Sequence, residues 1–172
     1  MGGKTLVAYA SKCGSTAEVA EAIGHVLQDA GRPVDIRKVQ DVRDLEAYRA
    51  VILGTAIRMG RPLSDATVFA RRFRLALNQM PVALFSVGAQ MREDTDENRK
   101  KTLGFLSPLL SEVKQPARVG MFGGRVENSQ LSPLWRMLSP RDKSGMMHEG
   151  DWRNWEAIHG WARDLNTVLA GV

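Results

Sequence analysis

Apolar runs of strand length that alternate with segments of helical period predict an α/β chain. The architecture expected is a doubly wound, five-stranded parallel sheet of order 2-1-3-4-5, with an insertion after the fifth strand. Three observations carry this expectation. Five such runs recur along the 172 residues. The last three are almost unbroken apolar or small residues, as parallel strands covered on both faces require. Right-handed crossovers between successive parallel strands then favour the doubly wound order.

The first strand is KTLVAY (4–9). Ala20, Ile23, Leu27 and Ala30 mark one face of a helix over 16–30, which Gly31 and then Pro33 end. PVDIRK (33–38) alternates as a second strand, and AVILG (50–54) is the third. Phe69, Phe73, Ala76 and Leu77 give 64–78 a helical face, with Ser64 as its N-cap. PVALFSV (81–87) is the fourth strand. The segment 94–114 has a helical pattern but contains Ser107-Pro108, which kinks or splits it. ARVGMFG (117–123) is the fifth strand. Asp151 caps a last helix that turns Trp155, Ile158, Ala162, Leu165 and Leu169 inward.

No long linker interrupts this pattern, so 1–172 is expected to be a single domain. Only 124–150 breaks it, as an insertion loop of the length that usually carries function. Within it, Ser132 followed by Pro133 is an N-cap and first-turn signature. It opens a short amphipathic helix with Leu131, Leu134, Trp135 and Leu138 on one side, and Arg136, Arg141 and Lys143 around them.

Bulk properties narrow the function classes. The chain is 44% hydrophobic and 25% charged, and no apolar run approaches the roughly 20 residues of a membrane span. A single cysteine forms no internal disulfide, and MGGKTLVAYAS lacks a secretory cleavage site, so a cytoplasmic location is expected. The net charge of +5 and isoelectric point near 9.7 suit an anionic partner: nucleic acid, an acidic membrane surface, or a phosphorylated or carboxylated ligand. Neither a basic run nor an aromatic-interleaved motif is present, so nucleic acid is not expected. His25, His148 and His159 have no ligand spacing, and no metal is expected.

In a 2-1-3-4-5 sheet the chain reverses between strands one and three, and ligands bind at the carboxyl ends of those strands. Residues 10–16 lie there. Ser11, Ser15 and Thr16 offer hydroxyls, Gly14 lets the backbone approach closely, and the following helix presents unpaired N–H groups. Hydroxyls, amides and a helix dipole around a concavity suit a phosphate. Locally, Ser15 could equally cap the helix with Glu18 closing a capping box; its place at the switch point favours the ligand. Neither G-x-x-x-x-G-K-[ST] nor G-x-G-x-x-G occurs, which leaves a monophosphate as the occupant.

SKCGST (11–16) resembles the phosphate loop of the flavodoxin-like proteins, in which Ser/Thr-x-Thr-Gly-x-Thr wraps the phosphate of FMN. VILGTAIRMGRP (51–62) resembles the loop against one side of the flavin ring in that family, and LFSVGAQ (84–90) the loop on its other edge. Within the family, the chain resembles the bacterial quinone-dependent protoporphyrinogen dehydrogenases. They share a basic residue in the phosphate loop, a G-x-x-I-R-x-G third-strand loop, and features similar to MPVALFSV (80–87) and GDWRNW (150–155). Cys13 stands where many relatives have Thr or Asp, and Met59 where an aromatic often covers the ring.

The resemblance implies FMN as cofactor. Ser11, Lys12, Cys13, Gly14, Ser15 and Thr16 would hold its phosphate. Its ring would lie between Thr55, Ala56, Ile57, Arg58, Met59 and Gly60 on one side and Ser86, Val87, Gly88, Ala89 and Gln90 on the other. Stacking falls to Met59, whose sulfur packs well on rings, or to Trp135. Arg58 is the catalytic candidate: a cation facing the ring's N1–C2=O edge stabilises the two-electron reduced anion. Alternatively it faces solvent, and its loop contacts FMN through backbone alone. The activity implied is an FMN-dependent oxidoreductase that moves electron pairs between a small-molecule substrate similar to protoporphyrinogen and a quinone. The rival is a flavodoxin electron carrier that docks onto a redox partner. Cys13 is either a thiol activated by the helix N-terminus or a small residue that fits the loop. The insertion lies against an acidic membrane surface at the inner face, encloses an anionic aromatic substrate, or packs on the domain's own core.

Overall fold

Leu6, Val7 and Ala8 are consecutive and all fully buried, so the first strand presents apolar side chains to both faces and must be sandwiched. The computed structural model describes residues 3–127, 133–138 and 149–170, the side chains of residues 135, 136 and 138 excepted. Its strands are β1 (Lys4–Ala10), β2 (Val34–Lys38), β3 (Tyr48–Arg58), β4 (Arg61–Pro62), β5 (Val82–Val87), β6 (Arg118–Phe122), β7 (Arg125–Val126) and β8 (Gly150–Asp151). Five form a parallel sheet in the order β2-β1-β3-β5-β6. That is the order expected, once the short β4, which folds back antiparallel on β3, is set aside. The β7–β8 pair is a separate antiparallel ribbon. Neither β4 nor this ribbon was expected, because two-residue strands carry no periodicity to read.

The helices are α1 (Ser15–Asp29), α2 (Ser64–Arg72), α3 (Arg74–Leu77), α4 (Asp96–Phe105), α5 (Ser107–Leu110), α6 (Pro133–Leu138) and α7 (Trp155–Ala170). One face of the sheet packs Val7, Ile52 and Phe85 against Ile23 and Leu27 of α1 and Ile158 and Leu165 of α7. The other packs Leu6, Leu53 and Leu84 against Phe69 of α2 and Leu109 of α5. Each such fully buried side chain contributes about 1.5–3 kcal/mol.

Four local expectations are corrected. The helix over 64–78 is interrupted at Phe73, whose φ of −102° and ψ of 15° end α2 before α3 begins. Ser64 is the first helical residue rather than a cap; Leu63 holds the cap position and has no side-chain oxygen to offer. Asp151 does not cap α7, because it is paired in β8; the Asn154 Oδ1 accepts the Ala157 N–H at 3.0 Å instead. Trp155 is 37% exposed, not inward, and carries the Arg153 guanidinium over its ring at 4.7 Å. The split before Ser107-Pro108 is found where expected, between α4 and α5. In the insertion, α6 begins at Pro133, but Leu134 is 59% exposed and does not pack on the core. Leu131, Ser132, Arg141, Lys143 and His148 lie outside the described residues, as do the side chains of Trp135, Arg136 and Leu138.

Gly54 and Phe85 are neighbours across β3 and β5, and a Cβ on Gly54 would stand 2.0 Å from the Phe85 Cζ. Phe85 is fully buried, so its ring has nowhere to retreat. Gly54→Ala is therefore expected to overpack the core by about 1–3 kcal/mol and to lower Tm by several degrees. Thermal melts of Gly54→Ala and of Gly54→Ala with Phe85→Leu test this. The double variant should recover part of the loss, and an unchanged Tm in the single variant contradicts the account.

Candidate functional site

β1, β3 and β5 are adjacent and parallel, with Ala10 opposite Thr55 and Ala56 opposite Val87, so three turns leave the sheet at one edge. The first leads into α1. Gly14 occupies the cap position with a left-handed φ of 88°, and no side chain caps the helix. Ser11 Oγ accepts the Gly14 N–H at 3.1 Å and so shapes the turn. The capping-box alternative is thereby removed: Ser15 is helical, and the Glu18 carboxylate is directed at Arg125 and Arg153. By helix geometry the amides of Ser15, Thr16 and Ala17 have no intrahelical acceptor. Thr16 is 0% exposed, and its Oγ1 has no hydrogen-bond partner among the described residues. Ser15 is buried, Cys13 half-buried and Lys12 exposed.

The second turn is a tight hairpin. Arg58 pairs with Arg61 across β3 and β4, which leaves Met59 and Gly60 as a two-residue turn with φ of 51° and 71°. Both are left-handed, as a type I′ turn demands. Methionine is an unfavourable residue there, and it is also 82% exposed. Thr55 roots the hairpin: its Oγ1 donates to the Ala56 carbonyl at 2.9 Å and accepts the Leu63 N–H at 3.1 Å. The Thr55 hydroxyl is thus engaged in holding the hairpin. Ala56 and Ile57 are half-buried, and Ile57 lies against Gly88. Arg58 and Arg61 are both exposed, with no ion pair or hydrogen bond from either side chain among the described residues.

The third turn follows β5. Ser86 is 1% exposed and its Oγ, like that of Thr16, has no partner among the described residues. Val87 is buried, while Gly88 and Ala89 are half-buried. The Gly88 N–H donates to the Phe122 carbonyl at 3.1 Å, which ties this turn to β6. Gln90 is occupied, since its Nε2 donates to Asn98 Oδ1 at 2.6 Å. The Trp135 side chain lies outside the described residues.

A charged cluster that sequence reasoning missed stands beside the first turn. Glu18 pairs with Arg125 at 3.3 Å and also with Arg153. Arg125 reaches Glu127 at 2.9 Å, and Arg153 reaches Asp151 at 2.6 Å. The Arg153 side chain is only 6% exposed. Its hydrogen bond holds the Asp151 carboxyl below its usual range, against an opposing push from burial. The cluster joins the β7–β8 ribbon to the first turn of α1. Glu18 and Arg153 are 135 positions apart, and no short motif could have linked them.

A family model described as Flavodoxin domain matches residues 6–138. Protoporphyrinogen IX dehydrogenase [quinone] of Escherichia coli K12 is 24% identical over 170 residues, covering 94% of each chain. The protein of the same description from Leishmania major is 28% identical over 179 residues, covering 98% of this chain and 77% of that one. Among solved structures, oxidised Flavodoxin 2 from Bacillus cereus superposes with a TM-score of 0.54 at 20% identity, covering 98% of both chains. That likeness shows the fold.

Two outcomes follow from the geometry. Met59→Gly is expected to relieve about 1 kcal/mol of backbone strain and to raise Tm by about 2–4 °C; an unchanged or lowered Tm removes the strain argument. The second concerns pH. Asp151 has a folded pKa below its unfolded value, so its contribution is complete above the unfolded pKa of about 3.9 and is lost as pH falls through the lower folded one. The stability gap between the native chain and Asp151→Asn should be full at about pH 5 and close below about pH 4. A gap independent of pH in urea titrations would contradict the pairing.

Proposed function

The chain belongs to the flavodoxin domain family, and from that premise we propose that it oxidises a protoporphyrinogen-like substrate and passes the electron pair to a quinone. In coarser statement it is a flavodoxin-like oxidoreductase whose cofactor is FMN. The finer activity is supported by the names of the relatives in E. coli and L. major, and by a site with the right unmet needs. The observation that carries it is the pair of buried, unpartnered hydroxyls of Thr16 and Ser86 at one sheet edge, beside an uncapped helix start. A buried hydroxyl without a partner costs about 1–3 kcal/mol. A phosphate at the α1 turn would satisfy Thr16 and the open amides together.

FMN, when bound, supplies reversible two-electron transfer. The chain supplies the rest. In this proposal Ser11, Lys12, Gly14, Ser15 and Thr16 hold the phosphate, with the amides of 12–16 as principal donors and Cys13 filling the turn. The backbone of Thr55–Gly60 and of Ser86–Gln90 flanks the ring, and Thr55 serves by fixing the hairpin rather than by its hydroxyl. Arg58, unpaired within the described residues, is free to turn its charge toward the ring's N1–C2=O edge. A net charge of +5 supports stabilisation of an anionic reduced cofactor. Among the described residues no helix is long and apolar enough to cross a membrane. The exposed Leu134 and Met137 of α6 support peripheral contact with a membrane from the cytoplasmic side.

The purified protein should be yellow with equimolar FMN, and should consume protoporphyrinogen when menadione is the acceptor. A colourless preparation that refuses added FMN overturns the proposal. Reduction in separate one-electron waves, without protoporphyrinogen turnover, points instead to an electron carrier. Arg58→Gln should lower the midpoint potential of the bound cofactor by about 30 mV, which for two electrons equals about 1.4 kcal/mol. An unchanged potential in dye-linked titration returns Arg58 to a solvent-facing role.

A further inference from the structure

We infer that Arg58 and Arg61 form a clamp for a carboxylate-bearing, otherwise apolar substrate, Arg58 shared between that carboxylate and the ring edge and Arg61 given to the carboxylate alone, an inference that rests on the oxidoreductase reading and names its substrate class. The two residues are direct cross-strand partners in the β3–β4 ribbon, so their side chains leave the same face of it. Like charges placed opposite one another repel. Several arginines elsewhere are neutralised, Arg71 by Glu112, Arg99 by Asp94, and Arg125 and Arg153 by Glu18. Neither member of this pair has a carboxylate partner among the described residues.

Between the two arginines the turn is strained, and it exposes its one large apolar side chain. Met59 holds a left-handed φ of 51° while 82% exposed. Gly60 runs so close to the Phe105 ring that a Cβ would stand 3.2 Å from its Cε1. Two facing cations, an exposed thioether and a nearby ring are each unfavourable or unused in the free protein. One ligand satisfies them together: a molecule with a carboxylate for the guanidiniums and an apolar body for Met59. The hairpin that carries them is already fixed by the Thr55 and Leu63 hydrogen bonds, so little ordering is needed on binding. Two cations are too few for an acidic membrane surface, which clusters of about 4–8 basic residues recognise.

The test uses the full chain loaded with FMN and follows tryptophan fluorescence as protoporphyrin IX, a dicarboxylate, or its dimethyl ester is added. Arg61→Gln should weaken binding of the dicarboxylate about 10-fold, the loss of one charge-assisted contact, and leave binding of the ester unchanged. Arg61→Glu should weaken the dicarboxylate further. Equal affinity of the native chain and Arg61→Gln for the dicarboxylate, or an equal loss for dicarboxylate and ester, overturns the clamp while the oxidoreductase reading stands. Loss of sedimentation with phosphatidylglycerol vesicles in Arg61→Gln, with porphyrin binding intact, assigns the pair to a membrane and also overturns it. A native chain that takes up no FMN removes the oxidoreductase reading itself, and the clamp with it.

Discussion

The site depends on burial of the central strands from both sides. β1, β3 and β5 are covered by α1 and α7 on one face and by α2 and α5 on the other, so no cleft can open over the sheet. Only the edge where the chain reverses between β1 and β3 is left. Three features of the described residues gather there: an uncapped helix start, a strained hairpin and a third turn with a buried hydroxyl. The apolar core therefore does more than stabilise; it directs these three turns to one edge of the sheet.

What was legible in the sequence follows the same physics. Buried parallel strands must be apolar on every residue, so Val51–Leu53 and Val82–Phe85 announced themselves, and the sheet order followed. The turn at Ser11–Thr16 was legible because small hydroxyl residues and glycine at a switch point have few other uses. Features set by distant partners were not. Ser15 and Glu18 fit a capping box locally, but Arg125 and Arg153, more than a hundred positions away, claim the carboxylate. Asp151 looked like a cap until β7 paired with it, and Asn154 took the role. The hydrogen bonds by which Thr55 roots the hairpin were not legible either, since Leu63 is eight positions away. The hairpin itself was hidden in Arg-Met-Gly-Arg, where Met-Gly is a poor advertisement for a turn that usually shows Asn-Gly.

The charged cluster at Glu18 is not a general stabiliser. Glu18 remains 42% exposed, and pairs of that exposure are screened by water. Its value is positional: it fixes the β7–β8 ribbon beside the turn that α1 leaves open, and with it the start of α7. Arginine charge is thereby consumed beside the first turn and, among the described residues, left free at the second. The two turns present different chemistry, one made of amides, hydroxyls and the Lys12 ammonium, the other of guanidiniums and a thioether.

Arg153 binds a carboxylate near the beginning of the chain, and α7 behind it packs on α1. During synthesis the loop of 11–16 emerges well before the arginine and the helix that support it. Glu18 and its buried arginine partner are separated by 135 positions of synthesis. Removing 153–170 would take away, at a distance, contacts that support the turn of 11–16.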